Sequence, residues 1–418
     1  MANRISEDTS DMKQNLLQKY FWGIFICCAA LFSASATAQT FSAPTAQSVK
    51  AAIQNSTDYL VKATLPSGQF VYIINLNPNF GMIDSYNIVR HGGAMYGLGL
   101  SYENAQQPTV LDALERSCKW LFSKQIKPIP GNDKLLGIWE TPTKEHPQMI
   151  STGDLGLGLV GIMSLEKIKP GSVPLDNLQR IGDALLWMQK PDGSFQTAYY
   201  PDKSTFDTSY EVLYYPGEAA LGLTMLYEKD HDQRWLQAAA KALAFLVKSR
   251  KDATEVPPDH WAMIATHELL ANYDTLKNPP VTRDQLLEHA RQVCRSLMQD
   301  QQPPSSGKVA GSFSPDGFTT PTATRMEGLI AALGFLPADD PLRPQIRACV
   351  NAGIAFLISA QVTSASHIGA IPHTVINKPN DGSKSNFVFN VYASQVRIDY
   401  VQHALAAFVK YQELLSAK

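Results

Sequence analysis

The sequence predicts an all-α protein, an (α/α)6 toroid in which six inner helices are ringed by six outer ones, with a few short strands in the loops. Two observations carry that expectation. Helical stretches alternate between two kinds, one amphipathic and one small and apolar around its whole circumference, at a period of about 45 to 70 residues. A helix apolar on every side is buried on every side, and a closed ring buries one helix of each pair. An open solenoid of the same hairpins is the competing arrangement, and its end helices would need caps.

The chain opens with Lys13 and Lys19, the apolar run Phe21 to Phe32, and the small-residue triplet Ala36-Thr37-Ala38. This reads as a secretory signal peptide over 1–38, cut before Gln39, leaving a single domain over 39–418 and an exported, periplasmic or extracellular protein. The run is short for a membrane span. An uncleaved anchor is the alternative, because the polar stretch before the run is long.

The elements then follow in order. Ala46–Lys62 is amphipathic, and Ser67–Asn77 alternates enough to be a strand. Ser85–Glu103, Ser151–Lys167, Leu213–Glu228, Pro258–Tyr273, Thr324–Leu336 and Arg397–Leu415 are the predominantly apolar, inner helices. Val110–Ile126, Pro174–Lys190, Arg234–Arg250, Thr282–Gln302 and Pro341–Gln361 are amphipathic and outer, as is Ala46–Lys62. The stretch from Leu213 shows the design most plainly. Pro216-Gly217 breaks the chain, Glu218 enters the first turn where a negative charge suits the helix dipole, and the next residues are almost all apolar.

With 418 residues, 44% of them hydrophobic, and a formal charge of −2, the composition is globular, and nothing in the charge argues for a nucleic-acid surface. Cys118, Cys294 and Cys349 fall in apolar helical stretches and read as buried thiols. The stretch Leu185–Gln196 contains Q-x-x-D-G-S-F, and Met298–Phe313 repeats it loosely with Gln299 early and Gly311-Ser312-Phe313 late. These segments resemble those that end helices in terpenoid cyclases and protein prenyltransferases. The cyclase D-x-D-D acid motif and the zinc-binding sets of prenyltransferases and LanC-type cyclases are absent from the sequence. The strand GQFVYIINLNP followed by YNIVRHGGAMYGL is similar to six-hairpin glycosidases and to the toroidal domain of D-glucuronyl C5-epimerases. That resemblance implies a polysaccharide or oligosaccharide lying over the barrel mouth, near the inner-helix N-termini.

The inner-helix starts are the candidate site. In a toroid they converge on one rim, and five bring a carboxylate: Asp154, Glu218, Asp259, Glu327 and Asp399. Arg90, Arg325, Arg397, His91 and His260 supply opposite charge, and His403 lies one turn beyond Asp399 on the same face. Taken singly, each acid reads as a cap or ion-pair partner; Thr152, Asp259 and Thr324 are ordinary N-cap types. Six mixed clusters together exceed what capping requires. Asp154, Glu218, Glu327 and Asp399 are the candidate acid–base carboxylates, with Glu218 and Asp154 first. Tyr214, Tyr215, Trp261 and Trp139 are candidate stacking surfaces, with Asp259 and His260 beside them, and the arginines favour an anionic sugar.

The expected function is a glycoside hydrolase on an acidic or modified polysaccharide. A polysaccharide lyase or uronate C5-epimerase, with Tyr214, Tyr400, His91 or His260 as base, remains open, as does a non-catalytic glycan- or peptide-binding protein. No cofactor and no metal is expected: Asp259, His260, Asp399 and His403 show no standard ligand spacing. Oligomeric state is not legible.

Overall fold

A computed structural model describes residues 42–80, 85–142, 147–207 and 209–416. The segment read as a signal peptide lies outside the described residues. Thirteen α-helices are described: α1 (Ala46–Ala63), α2 (Ile88–Asn104), α3 (Pro108–Lys124), α4 (Thr152–Ile168), α5 (Leu175–Met188), α6 (Tyr215–Asp230), α7 (Gln233–Arg250), α8 (His260–Ala271), α9 (Arg283–Met298), α10 (Thr319–Phe335), α11 (Arg343–Ala360), α12 (Lys384–Ala393) and α13 (Ile398–Ser416).

The ring is closed. α2 packs on α4, α4 on α6, α6 on α8, α8 on α10, α10 on α13, and α13 returns to α2. Outside it, α3, α5, α7, α9 and α11 each bridge two consecutive inner helices, and α1 packs on α13 and α2. The reason lies in side-chain size. α4 is buried from Thr152 to Glu166 without interruption, so its neighbours must approach on all sides. At Gly92 a Cβ would stand 2.4 Å from the Leu157 carbonyl oxygen, which lets α2 lie directly on the α4 backbone. The amphipathic outer helices bury one stripe only, as α5 does with Leu178, Ile181, Ala184, Leu185 and Met188.

The Q-x-x-D-G-S-F stretch fastens one outer helix to the next. Asp192 Oδ1 accepts from the Ser194 N–H at 3.0 Å and its hydroxyl at 2.7 Å. Gly193 has φ +94°, and a Cβ there would meet the Lys241 carbonyl of α7 at 2.3 Å. Gln189 donates to the Ala238 carbonyl of α7 at 2.9 Å. The second copy does the same with Gly311, φ +88°, against Ala352 of α11. There the donor to Cys349 O, at 2.9 Å, is Gln301 and not Gln299 as the spacing suggested.

Three differences from the sequence reading matter. The strand expected over 67–77 shrinks to β1 (Ile73–Asn75), paired antiparallel with β7 (Gln395–Arg397), which ties the first and last hairpins together at the rim. The short helix α12 was not anticipated. And α10 begins at Thr319, five residues earlier than expected, because Pro321 falls within its first turn, where a missing N–H costs nothing. The remaining strands, β2 (Ile126–Ile129), β3 (Asn132–Ile138), β4 (Ile150–Ser151), β5 (Ala198–Tyr200) and β6 (Thr205–Asp207), form two small antiparallel sheets in the loops. Among the described residues, no helix is long and apolar enough to cross a membrane.

Candidate active site

The inner-helix starts surround a cavity of about 370 Å³. Arg90, Tyr214, Tyr215, Glu218, His260, Trp261, Arg325, Arg397, Asp399 and His403 all line it, as does Gln402, which sequence reasoning missed. Gln402 lies three residues beyond Asp399, hence on its helix face; that spacing was the available signal. Larger hollows occur elsewhere on the surface, but this one gathers the charged starts.

Asp399 anchors one side. Arg397 grips it twice, at 2.6 and 2.8 Å, and Arg90 Nε reaches it at 3.2 Å. Arg90 is itself held by the Tyr72 hydroxyl at 3.1 Å. Burial alone would raise the Asp399 pKa, but the Arg397 hydrogen bonds and the Arg397 and Arg90 charges outweigh it and hold the group below its ordinary value. Asp399 is therefore ionised and already saturated with donors, which makes it a clamp for the two arginines rather than a free base.

Glu218 is the opposite case. It stands in the α6 first turn, 3% exposed, and its Oε2 has no hydrogen-bond partner among the described residues. Burial, helped by the charge of Asp259 and opposed by Arg90, pushes its pKa up to about 8. At neutral pH it is a carboxylic acid with a proton to give. Since α6 and α13 lie three places apart in a six-helix ring, Glu218 faces the α13 wall.

On that wall His403 Nδ1 lies 2.7 Å from Glu327 Oε2. The His260 ring sits 5.4 Å from the His403 ring, centroid to centroid, at 76°, and makes an edge contact with Tyr214. Burial first, then the charges of His403 and Arg325, lower the His260 pKa well below its usual value, so its ring is neutral. Because α10 starts early, Glu327 is more than two turns into its helix. It reaches the site through His403 rather than lining the mouth.

Three expected site residues turn away from the cavity. Asp154 is the N3 acid of a capping box: its Oδ2 accepts from the Ser151 N–H at 2.9 Å and from the Ser151 hydroxyl at 2.7 Å. Burial and the neighbouring Glu140 carboxyl push its pKa well up. Asp259 caps α8 through the Ala262 N–H at 3.0 Å and pairs with Arg250 at 2.8 Å. It bears on the cavity only through its charge, which raises the Glu218 pKa. His91 points outward, toward the Ser117 carbonyl at 3.2 Å and the Tyr86 hydroxyl at 2.7 Å. Of the aromatic candidates, Trp139 is buried and donates to Lys127 O at 3.2 Å. The caps also shift by residue: Ser151, not Thr152, caps α4, and Thr324 bonds back to Thr320 O inside α10.

Tyr215 is seated by the absence of a side chain. A Cβ on Gly153 would come within 2.2 Å of its ring. Gly153→Ala should displace that ring and cost about 1–3 kcal/mol, read as a lower melting temperature together with weaker ligand binding. A variant with unchanged stability and binding would show that the ring does not need this seat.

No protein-family model and no curated protein matches the chain. Solved structures do match. A D-mannose isomerase aligns at TM-score 0.62 and 13% identity, over 90% of this chain and 100% of its own. An unsaturated glucuronyl hydrolase from Streptococcus agalactiae aligns at 0.58 and 13%, over 89% and 93%. A polysaccharide lyase aligns at 0.55 and 14%, over 89% and 98%. The chain has the six-hairpin, glycosidase-like α/α-toroid fold. At such identities the likeness is one of architecture, and function rests on the site.

Proposed function

We propose that this protein is a glycan-active enzyme, a hydrolase of an anionic saccharide bound over the inner-helix rim. The observation that carries the reading is Glu218. It is a buried carboxyl facing the cavity, unpaired among the described residues, with its pKa raised to about 8. A group that is still protonated at neutral pH is what departure of a glycosidic oxygen requires. Arg90, Arg397 and Arg325 line the same cavity and suit a uronate carboxylate. Tyr214, Tyr215 and Trp261 give it aromatic walls. Asp154, paired with Glu218 on sequence grounds, gains no support as the second group, since its own helix start holds it. The attacking water is instead sought across the cavity, beside His403 of α13 and Glu327 of α10 behind it. That the solved structures of this fold include an unsaturated glucuronyl hydrolase and a polysaccharide lyase supports a saccharide as the ligand.

A lyase or epimerase is the second reading, favoured by one observation: His403 is backed by Glu327 at 2.7 Å, as a base that abstracts a carbon-bound proton would be. Turnover of neutral and acidic saccharides, followed as reducing ends and ultraviolet absorbance together, separates the cases. New reducing ends without absorbance support hydrolysis. Absorbance means elimination, and a change of sugar configuration without cleavage means epimerisation. Silence across uronate-containing and neutral glycans would overturn the reading. We extend it to export on the strength of the apolar run and the Ala36-Thr37-Ala38 triplet. Terminal sequencing of protein recovered from an exporting host should begin at Gln39.

A further inference from the structure

Three neighbouring inner helices, α8, α10 and α13, each bring one metal-binding side chain to a single point: His260, Glu327 and His403. One donor atom from each lies within 4.8 Å of the others. His260 and Glu327 are 1% and 4% exposed, yet both ring nitrogens of His260 and Oε1 of Glu327 lack a hydrogen-bond partner among the described residues. A buried polar atom left unpaired loses its hydration with nothing in return, so three at one point call for a ligand. His91 is equally buried and is a structural histidine by contrast, since both of its nitrogens are bonded. With His403, whose Nδ1 is held by Glu327 Oε2 at 2.7 Å, the triad offers two imidazoles and a carboxylate, a donor set suited to transition ions.

We propose that His260, Glu327 and His403 bind one divalent transition-metal ion, Zn2+ by the chemistry of the set, with a further coordination position open to the cavity that His260 and His403 line. Ligands about 2 Å from a tetrahedral ion sit about 3.3 Å apart, so side-chain rotations bring the three donors into range. Residues 260, 327 and 403 come from three separate hairpins, which is why no ligand spacing is visible along the chain. A metal at this point departs from the expectation of none drawn from the sequence. Binding stands on its own geometry. The role of the ion rests on the hydrolase reading: its bound water, with a pKa near ~7, would be the attacking group opposite Glu218.

The test uses the purified full chain, stripped with a chelator and then dialysed against Zn2+ or Co2+. Elemental analysis should find about one ion per chain, and the Co2+ form should show the visible absorption of a low-coordinate site. His260→Ala, Glu327→Gln and His403→Ala should each weaken binding at least ~100-fold while melting cooperatively, and His267→Ala, half exposed on α8, should bind normally. A folded chain that takes up no ion at micromolar Zn2+, or uptake that survives all three substitutions, overturns the site. Stoichiometric metal with no glycan turned over leaves the site standing and removes the hydrolase reading. Full turnover by the stripped chain removes the role of the ion alone.

Discussion

Under the proposed hydrolase function, replacing Glu218 by glutamine is expected to lower glycan turnover by roughly 10²–10⁴-fold, the range over which a positioned proton donor contributes. Glutamine keeps the shape and the buried polar end but has no acidic proton. The fold should survive, and under alkaline conditions it should improve. The Glu218 pKa is raised from 4.5 in the unfolded chain to about 8 in the folded one. Its contribution to stability is therefore complete below about pH 4.5 and is lost as pH rises toward and through about 8. That loss is on the order of 3–5 kcal/mol, and the glutamine variant escapes it. Activity of the parent enzyme should fall above about pH 8 as the proton leaves. Asp259→Asn, which removes a charge that raises the Glu218 pKa, should move that alkaline limb to lower pH. Melting curves and pH–rate profiles on the three proteins check this together. If Glu218→Gln keeps full turnover, the proton donor lies elsewhere.

The largest stability effect is expected at Arg250. Its guanidinium is the only charge paired with Asp259 among the described residues, and that carboxylate side chain is fully buried. Arg250→Met leaves Asp259 with the Ala262 N–H alone and should cost about 3–5 kcal/mol. The cost should shrink at low pH, where Asp259 takes up a proton, and part of the stability should return when Asn replaces Asp259 in the same chain. Urea unfolding of the single and double variants measures this directly. A loss below about 1 kcal/mol would mean that water, not Arg250, keeps Asp259 solvated.

Asp154, Glu218 and Asp259 all stand at helix starts, yet only Glu218 presents itself to the cavity. Asp259 is the N-cap residue of α8 and Asp154 the third residue of α4, and both positions turn a carboxylate back onto the amides of their own first turn. Glu218 is the fourth residue of α6, just past the reach of capping, so its carboxyl remains available. One residue along a helix is a rotation of about 100°, and the position of a helix start is known from sequence only to within a residue or two. Thr319–Pro321 illustrates this. The proline reads as a break in the chain, but in the first turn of α10 it is accommodated, and Glu327 drops from the mouth to a position behind His403.

The sequence by itself determined the ring. Helices apolar on every side alternate with helices apolar on one, and only closure buries the first kind; burial depends on composition and period, both of which are local. It also determined which segments bring charge and aromatic rings to the rim. The tertiary structure decided the rest: that Glu218 presents an unpaired acid to the cavity, that Asp399 is locked between Arg90 and Arg397, and that His260, Glu327 and His403 meet. The Arg90–Asp399 contact and the meeting of His260, Glu327 and His403 depend on distances between helices more than 60 residues apart in the chain, set by the packing of small side chains such as Gly92 on α4 to fractions of an ångström. Nothing along a single strand of sequence records such a distance.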